Sequence, residues 1–226
     1  MQKRKLIVFD IDDTLTKSEN QHQTAYVNTM RHFGIEKIDQ NWRTYLHHTD
    51  SYILKENYER NFSNPFDLSF ISGFEKEMTT NIQSLSNTKE IKGAAQIVRF
   101  LMNETEYGVC FATGSLLKPA YIKLEQAGIP FIPELVTGSN NFYSREEIVK
   151  NAVDKAKDFY KVDIFEHTIS VGDGIWDLRT ARNLNIHFIG ILDKNLADFK
   201  RENIKCHIKD WQDFDLLNAE KQLEIT

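Results

Sequence analysis

The sequence predicts an α/β fold, a doubly wound parallel sheet with a helical domain inserted after the first strand. Three observations predict it. Short continuous apolar runs, typical of strands buried on both faces, recur along the chain. From Ile91 onward these runs alternate with segments of helical apolar spacing, which is the pattern of βαβ units. Between residues 18 and 87 the helical spacing continues without any such run.

The first predicted strand is followed directly by the helical block. The run Leu6-Ile7-Val8-Phe9 is apolar throughout and ends at an acid. Residues 18–87 then show apolar residues three and four apart, which predicts three or four helices and no strand. These residues are Tyr26, Met30, Phe33, Tyr45, Leu46, Tyr52, Ile53, Phe70, Phe74, Met78, Ile82 and Leu85. We call residues 18–87 the cap, and residues 1–17 and 88–226 the core.

The remaining elements of the core alternate strictly. Helices are predicted at 93–104, 119–126, from 144 onward and at 176–184. Strands are predicted at 108–112, 134–136, 168–171 and 187–192. Because crossovers between parallel strands place helices on both faces, the core is expected to be Rossmann-like.

Composition and charge exclude several classes of protein. Of 226 residues, 41% are hydrophobic and 27% are charged, which argues against a disordered or fibrous chain. The formal charge of -5 argues against a general nucleic-acid or anionic-membrane binder. The N-terminal apolar run is too short for a signal peptide or a membrane span. Cys110 and Cys206 cannot form a disulfide framework, so we expect a cytoplasmic protein.

Acids and hydroxyls follow three of the predicted strands. Asp10, Asp12 and Asp13 follow the first strand, Thr113 follows the second, and Asp173 and Asp177 follow a later one. Ligands of doubly wound sheets bind beyond the carboxyl ends of the strands, so these side chains should share one pocket. Clustered carboxylates repel one another unless a cation lies among them, and oxygen ligands suit Mg²⁺. We therefore expect Mg²⁺ as the cofactor.

A single DxD could also be a solvated acidic turn or a helix cap. An EF-hand loop is excluded, because Leu15 stands where that loop needs Gly and Gln21 where it needs Glu. The presence of Thr113 and of the pair Asp173 and Asp177 at matching strand ends favours a functional site.

These motifs resemble the signatures of the haloacid dehalogenase-like superfamily, which extend over the whole core. The signature DxDx(T/V) corresponds to Asp10-Ile11-Asp12-Asp13-Thr14, the second to Thr113, and GDxxxD to Gly172-Asp173-Gly174-Ile175-Trp176-Asp177. The resemblance implies a helical cap after the first motif and a phosphatase reaction.

In that reaction Asp10 is the nucleophile and forms an aspartyl-phosphate, and Asp12 is the general acid and base. The resemblance implies that Asp10, the Asp12 backbone carbonyl and Asp173 bind Mg²⁺, with Asp177 holding a metal-bound water or orienting the other ligands. Thr113 and the backbone N–H of Gly114 would bind a phosphoryl oxygen.

The third signature of the superfamily, a Lys often followed by Pro, is absent in that form. Two residues, Arg145 and Lys150, could replace this Lys. Ser144, Arg145 and Glu147 fit a capping box that places Arg145 in the first turn of a helix, whereas Lys150 falls off the apolar stripe of that helix. We assign the phosphate-binding role to Arg145, since a guanidinium can neutralise a phosphoryl group bidentately.

The histidines of the cap could suggest a second metal site, but surface or core positions are favoured. His22, His47, His48 and Asp50 include neighbours that cannot face one way on a helix, so we expect surface or core histidines. His22 and Gln23 would reach the substrate only if the cap closes over the pocket.

The sequence thus predicts a Mg²⁺-dependent phosphoric monoester hydrolase acting on a small phosphorylated metabolite, with no nucleic-acid or membrane partner. A phosphomutase of the same superfamily and a non-catalytic phosphate-binding module remain alternatives. A signalling receiver domain is disfavoured, because such a domain ends near ~120 residues. Natural substrate and oligomeric state are left open, and a monomer is compatible with the sequence.

Overall fold

Six parallel strands form the sheet at the centre of the core. The computed structural model describes residues 2–212 and 214–225. In this part of the chain the strands are β1 (Lys5–Phe9), β2 (Thr16–Lys17), β3 (Lys89–Glu90), β4 (Tyr107–Ala112), β5 (Val136–Thr137), β6 (Thr168–Gly172), β7 (His187–Ile191) and β8 (Cys206–Ile208). The sheet has the order β5-β4-β1-β6-β7-β8, while β2 and β3 pair antiparallel by themselves.

Nine α-helices are found in the described residues. They are α1 (Glu19–His32), α2 (Asp50–Asn61), α3 (Phe70–Gln83), α4 (Ala94–Glu104), α5 (Leu117–Gln126), α6 (Arg145–Tyr160), α7 (Ile175–Asn183), α8 (Leu196–Arg201) and α9 (Leu216–Leu223). Short 3-10 turns lie at Trp42–Thr44, Pro133–Leu135 and Asp193–Asn195. Among the helices described, none is both long and apolar enough to cross a membrane.

The two faces of the sheet bury alternate residues of the same strand. Ile7 and Phe9 of β1 join one apolar cluster with residues of α4, α5 and α9. Leu6 and Val8 join another cluster with residues of α6. All five residues of β1 are buried, as expected for a central strand with helices on both sides. The predicted doubly wound α/β core is therefore confirmed.

The cap has its own apolar cluster. Tyr26 and Met30 of α1, Leu54 of α2, and Phe74 and Met78 of α3 pack together in it. Strand β2 precedes these helices in the chain and β3 follows them. The two strands pair through Thr16 and Glu90, so the beginning and the end of the cap lie side by side. The prediction of helices and no strand holds for residues 19–83.

Some predicted bounds were wrong. The strand predicted at 134–136 begins only at Val136, because Pro133 starts a 3-10 turn that runs to Leu135. The strands β2, β3 and β8 and the helices α8 and α9 were not predicted. These strands are two or three residues long, too short for a clear apolar run.

Candidate active site

The carboxyl ends of β1, β4 and β6 meet at one cavity between the core and the cap. This cavity has a volume of about 80 Å³. Core residues in its wall include Asp10, Gly114 and Asp173, and cap residues include His22 and Trp42. The arrangement is the one expected for parallel neighbours, whose carboxyl ends lie at the same edge of a sheet.

Three buried acids form a group at the floor of this site. Asp10 follows β1, Asp173 follows β6, and Asp177 lies in the first turn of α7. Each offers a carboxylate oxygen, and these oxygens lie within 4.8 Å of one another. Burial raises the pKa of Asp177 to about 7, and the charge of Asp10 adds to the effect. Burial also raises the pKa of Asp173 well above its usual value.

The chemistry of this donor set fits a hard divalent cation. Arg145 contacts Asp10 and Asp177, and Lys194 Nζ lies 2.7 Å from Asp173 Oδ2. Two cationic side chains thus face three carboxylates. The pKa values of Asp173 and Asp177 remain raised despite these neighbours, so the site can accommodate further positive charge. Carboxylate oxygens alone favour Mg²⁺ over softer metals.

Arg145 is placed at the site by the start of α6. Ser144 caps this helix, with its hydroxyl accepting from the backbone N–H of Glu147, in the predicted capping box. The Arg145 Nη1 donates to Asp10 Oδ1 at 2.9 Å and to Asp177 Oδ1 at 3.0 Å. The alternative, Lys150, lies on the exposed face of the same helix. The geometry therefore favours Arg145 as the cation of the site.

Gly114 allows the cap backbone at His48 and the Arg145 side chain to approach the core backbone closely. A Cβ at this position would lie 2.5 Å from the His48 carbonyl oxygen and 3.0 Å from Arg145 Nη2. Any other residue would therefore displace the backbone or the guanidinium. The preceding Thr113 is buried, and its Oγ1 accepts from the Ser115 backbone N–H at 3.1 Å.

The Asp12 side chain is not part of the group of three acids and has its own hydrogen-bond partners. Lys123 Nζ donates to both carboxylate oxygens of Asp12, at 2.6 and 2.5 Å. The hydroxyls of Ser18 and Ser115 donate to the same carboxylate, at 2.5 and 3.1 Å. Burial by itself would raise the pKa of Asp12, but the ammonium of Lys123 outweighs this effect and lowers it below the usual value. Asp12 is therefore an ionised carboxylate in this arrangement.

Two cap residues extend this contact across the cavity. His22 Nε2 lies 2.8 Å from Asp50 Oδ1, and His22 Nδ1 lies 3.2 Å from Lys123 Nζ. Asp50 Oδ2 also accepts from the backbone N–H of Leu116 in the core, at 2.9 Å. A continuous chain of polar contacts thus joins the cap to Asp12.

The cap also contacts the two remaining motifs. The ring of His48 stacks on Trp176, with centroids 3.9 Å apart and planes 2° apart. The His48 carbonyl accepts from Arg145 Nε at 3.2 Å. Burial and the charge of Arg145 lower the pKa of His48 to about 3, so this imidazole is neutral.

His22, Gln23 and His48 line the cavity, and of these we expected only His22 and Gln23 there, on the condition that the cap closes over the pocket. Two lysines near the site were not predicted. Lys123 and Lys194 were not singled out. Lys123 stands on the buried face of α5 with Ala120 and Leu124, and a charged residue in such a stripe is a signal that could have been used. Lys194 follows β7 in a 3-10 turn and carries no such signal.

Comparisons with known proteins agree with the motifs. A sequence profile of haloacid dehalogenase-like hydrolases matches residues 7–191. A hydrolase from Pseudomonas syringae has a similar structure, with a TM-score of 0.69, 19% identity, and coverage of 96% of this chain and 98% of that chain. CbbY from Rhodobacter sphaeroides in complex with phosphate has a TM-score of 0.70, 16% identity, and coverage of 99% and 100%.

A mutant of CbbY in complex with xylulose-(1,5)bisphosphate has a TM-score of 0.67 and 15% identity, and the coverage is 94% of this chain and 96% of that chain. No curated protein matches the sequence.

Proposed function

Since the chain belongs to the haloacid dehalogenase-like hydrolase family, we propose that it is a Mg²⁺-dependent phosphatase that hydrolyses a small soluble phosphomonoester. One observation carries the proposal. Asp10, the acid of the first motif, lies in a group with Asp173 and Asp177 and contacts Arg145 beside Gly114. A nucleophile, a cation site and a phosphate-binding cation are thereby brought together.

Asp10 is the proposed nucleophile. Its Oδ1 accepts from Arg145, and its Oδ2 accepts from Thr14 Oγ1 at 3.3 Å, so the carboxylate is held in one orientation. A carboxylate oxygen of Asp10 attacks phosphorus, which forms an aspartyl-phosphate and breaks the ester P–O bond. Water then attacks the phosphorus of this intermediate, releasing inorganic phosphate and restoring Asp10.

Asp12 is the proposed general acid and base. In the first step its carboxyl gives a proton to the leaving alkoxide, and in the second step the carboxylate takes a proton from water. The ionised Asp12 held by Lys123 has the form that the second step requires. The proton gained from water then serves the next leaving group, so the protons balance over one cycle.

The remaining residues bind the phosphoryl group and the cation. Asp10, the Asp12 backbone carbonyl and Asp173 would hold Mg²⁺, with Asp177 close by. When bound, this ion offsets the repulsion between the Asp10 carboxylate and the phosphate dianion. Arg145, Thr113 and the Gly114 backbone N–H would hold the phosphoryl oxygens.

The cap wall of the cavity supports a phosphatase over a phosphomutase. Among the described cap residues that line the cavity, none is Lys or Arg. Arg43 lies outside this lining and reaches Asn195 at 3.4 Å. A phosphomutase must hold a substrate by a second phosphate, for which cationic side chains are the usual partners.

The test of the proposal is phosphate release from an aryl phosphate with and without Mg²⁺. We expect turnover that depends on Mg²⁺ and falls by on the order of 10⁴-fold or more in Asp10→Asn. The exposed Asp154→Asn on α6 is the matched control and should keep full activity. A binding module would release no phosphate. A phosphomutase would transfer the group to a sugar hydroxyl without releasing phosphate.

A further inference from the structure

A lysine occupies a core position on α5. The buried residues of this helix are Pro119, Ala120, Lys123 and Leu124, so the lysine lies on the face that packs against the sheet. Its side chain is 1% exposed. Helical periodicity predicts an apolar residue at this position. Lysine is almost never buried to this extent unless it is paired.

The ammonium of Lys123 is directed at one carboxylate. It bonds both oxygens of Asp12 at 2.6 and 2.5 Å. Its other contacts are Ser115 Oγ at 2.6 Å and His22 Nδ1 at 3.2 Å. Ser115 in turn donates to Asp12. Lys123, Ser115 and Asp12 therefore contact one another, and His22 is the fourth member of the cluster.

Stability alone does not account for this lysine. Desolvating an ammonium costs several kcal/mol, and replacing a buried ion pair by apolar residues is often neutral or stabilising. Ala120 and Leu124 on the same face show that apolar side chains pack there. The charge therefore has its use at Asp12 and not in the packing of α5.

We infer that Lys123 is a positioning residue, whose buried ammonium holds the Asp12 carboxylate in the one orientation from which it exchanges protons with the leaving group and water. The inference rests on the proposed function, since it gives Asp12 its role there. Lys123 is fixed by its helix and contacts both oxygens, so it restricts rotation about the Asp12 side chain. The hydroxyls of Ser18 and Ser115 also donate to this carboxylate and help to fix its orientation without adding charge.

The cap completes this arrangement. His22 belongs to α1 and contacts Lys123, while Asp50 belongs to α2 and contacts His22. Lys123 and Asp12 belong to the core. The ammonium therefore has its full set of acceptors only when the cap lies against the core, as it does in this structure.

The test compares kcat and KM for p-nitrophenyl phosphate in Lys123→Met, Asp12→Asn and the double variant. Methionine has a similar length and no charge. We expect kcat to fall on the order of 10²-fold in Lys123→Met with KM within about threefold, because positioned proton transfer contributes about 10²–10⁴-fold. In the Asp12→Asn background the lysine change should lower kcat by less than about threefold, since residues that act as a unit are not additive. Lys118→Met, on the exposed face of α5, is the control and should match the wild type.

Two results would overturn the inference. One is an unchanged kcat in Lys123→Met, and the other is an equal loss with and without Asp12. If Lys123→Met fails to fold, as judged by its thermal transition, Lys123→Gln keeps a donor and the same cycle is measured with it. An inactive wild type would refute the proposed function itself, and this role with it, whereas an active wild type with an additive cycle refutes the positioning role alone.

Discussion

At the scale of single residues, Arg145 combines two roles that one point charge could not perform. Its guanidinium spans Asp10 and Asp177 through Nη1 and reaches the His48 carbonyl through Nε. Nη1 alone makes both contacts with the acids, and the contact with the His48 carbonyl needs a second nitrogen of the planar fork of arginine. Burial opposes the charged form, but Asp177 and Asp10 raise the pKa of Arg145, so the group stays charged.

This geometry leads to a graded prediction. Arg145→Lys should lower kcat/KM by roughly 10–100-fold, because one ammonium keeps the charge but cannot bind the two acids and also reach the His48 carbonyl through a second nitrogen. Arg145→Met should lower it by on the order of 10³-fold or more, since a buried phosphoryl cation is lost altogether. Steady-state kinetics with an aryl phosphate would measure both. Arg99→Met, on the exposed face of α4, is the control, and equal losses in both Arg145 variants would contradict the role of the fork.

His48 makes the protein sensitive to acid. Its folded pKa of about 3 lies below the unfolded value of about 6.5. Between these values the unfolded chain binds a proton that the folded chain does not, so stability falls as the pH falls through this window. His48→Phe keeps an aromatic partner for Trp176 and removes the titrating group. From pH 7.5 to pH 5 the free energy of unfolding should therefore fall by about 1–2 kcal/mol less in this variant than in the wild type.

Urea unfolding at the two pH values would measure this difference. His32, whose side chain is 58% exposed, supplies the control His32→Phe, which should follow the wild type. A pH dependence that is the same in wild type and His48→Phe would show that this imidazole is not the group that titrates.

The acids of the site were predictable because they follow strands and stand in fixed spacing. Asp10, Asp173 and Asp177 converge because the carboxyl ends of β1 and β6 are neighbours. Lys123 was not found, because its partner Asp12 is more than a hundred residues away and only folding brings α5 against the first motif. The identity of the partner leaves no periodic trace in a sequence, and only the place of Lys123 in the apolar stripe of α5 indicates that this lysine is paired.

At the scale of elements, the start of α6 determines where Arg145 lies. The capping box of Ser144 and Glu147 satisfies backbone donors of the first turn, and Arg145 is the first residue of the helix. This box was predictable because its two residues stand three apart. The helix also packs Ile148 and Ala152 on the sheet, which fixes its direction.

Removing this cap should affect both stability and activity. Ser144→Ala is expected to lower the free energy of unfolding by about 1 kcal/mol and to reduce kcat/KM severalfold, because the first turn carries Arg145. Asp215 caps α9, which has no residue in the cavity, so Asp215→Ala is a matched control. It should lose similar stability and no activity. Equal activity in both variants would show that the turn is held by other contacts.

One strand that the sequence did not predict lies at the edge of the sheet. Strand β8 has three residues with His207 at its centre, and it forms one edge of the sheet. Edge strands are half-solvated and need no continuous apolar run. Central strands such as β1 and β4 are apolar on both faces, and this is why their positions were predicted closely.

At the scale of the whole molecule, cap and core meet along a seam that is polar around the cavity and apolar at α5, where Leu116 and Ile122 of the core join the cap cluster. The cap cluster is built around α1 and α3, while the core clusters cover the two faces of the sheet. The polar part of the seam consists of directed contacts, such as Asp50 N–H to the Gly114 carbonyl at 2.8 Å and Thr49 Oγ1 to the Tyr143 carbonyl at 2.7 Å. Polar contacts of this kind can be exchanged for water, which suits a cap that opens to admit substrate.

The charge of the acid group should make the stability of the molecule depend on Mg²⁺. Burial and mutual repulsion raise the pKa values of Asp173 and Asp177, so an ion that binds only the folded state stabilises it. At about 100 times its dissociation constant the ion adds about 2.7 kcal/mol, or roughly 5–10 °C in Tm for a chain of this size.

Asp173→Asn should raise the stability without Mg²⁺ and reduce the stabilisation by Mg²⁺. In EDTA the variant should melt above the wild type, because it removes a buried charge while Lys194 keeps Asp13 and Glu19 as partners. With Mg²⁺ its Tm should rise by less than about 2 °C, because one ligand of the ion is lost. The exposed Asp154→Asn should shift as the wild type does. Thermal scans at pH 8 would measure all three proteins. A full Mg²⁺ shift in Asp173→Asn would place the stabilising ion outside the group of Asp10, Asp173 and Asp177, and the phosphatase proposed for this cavity would lose its cation site.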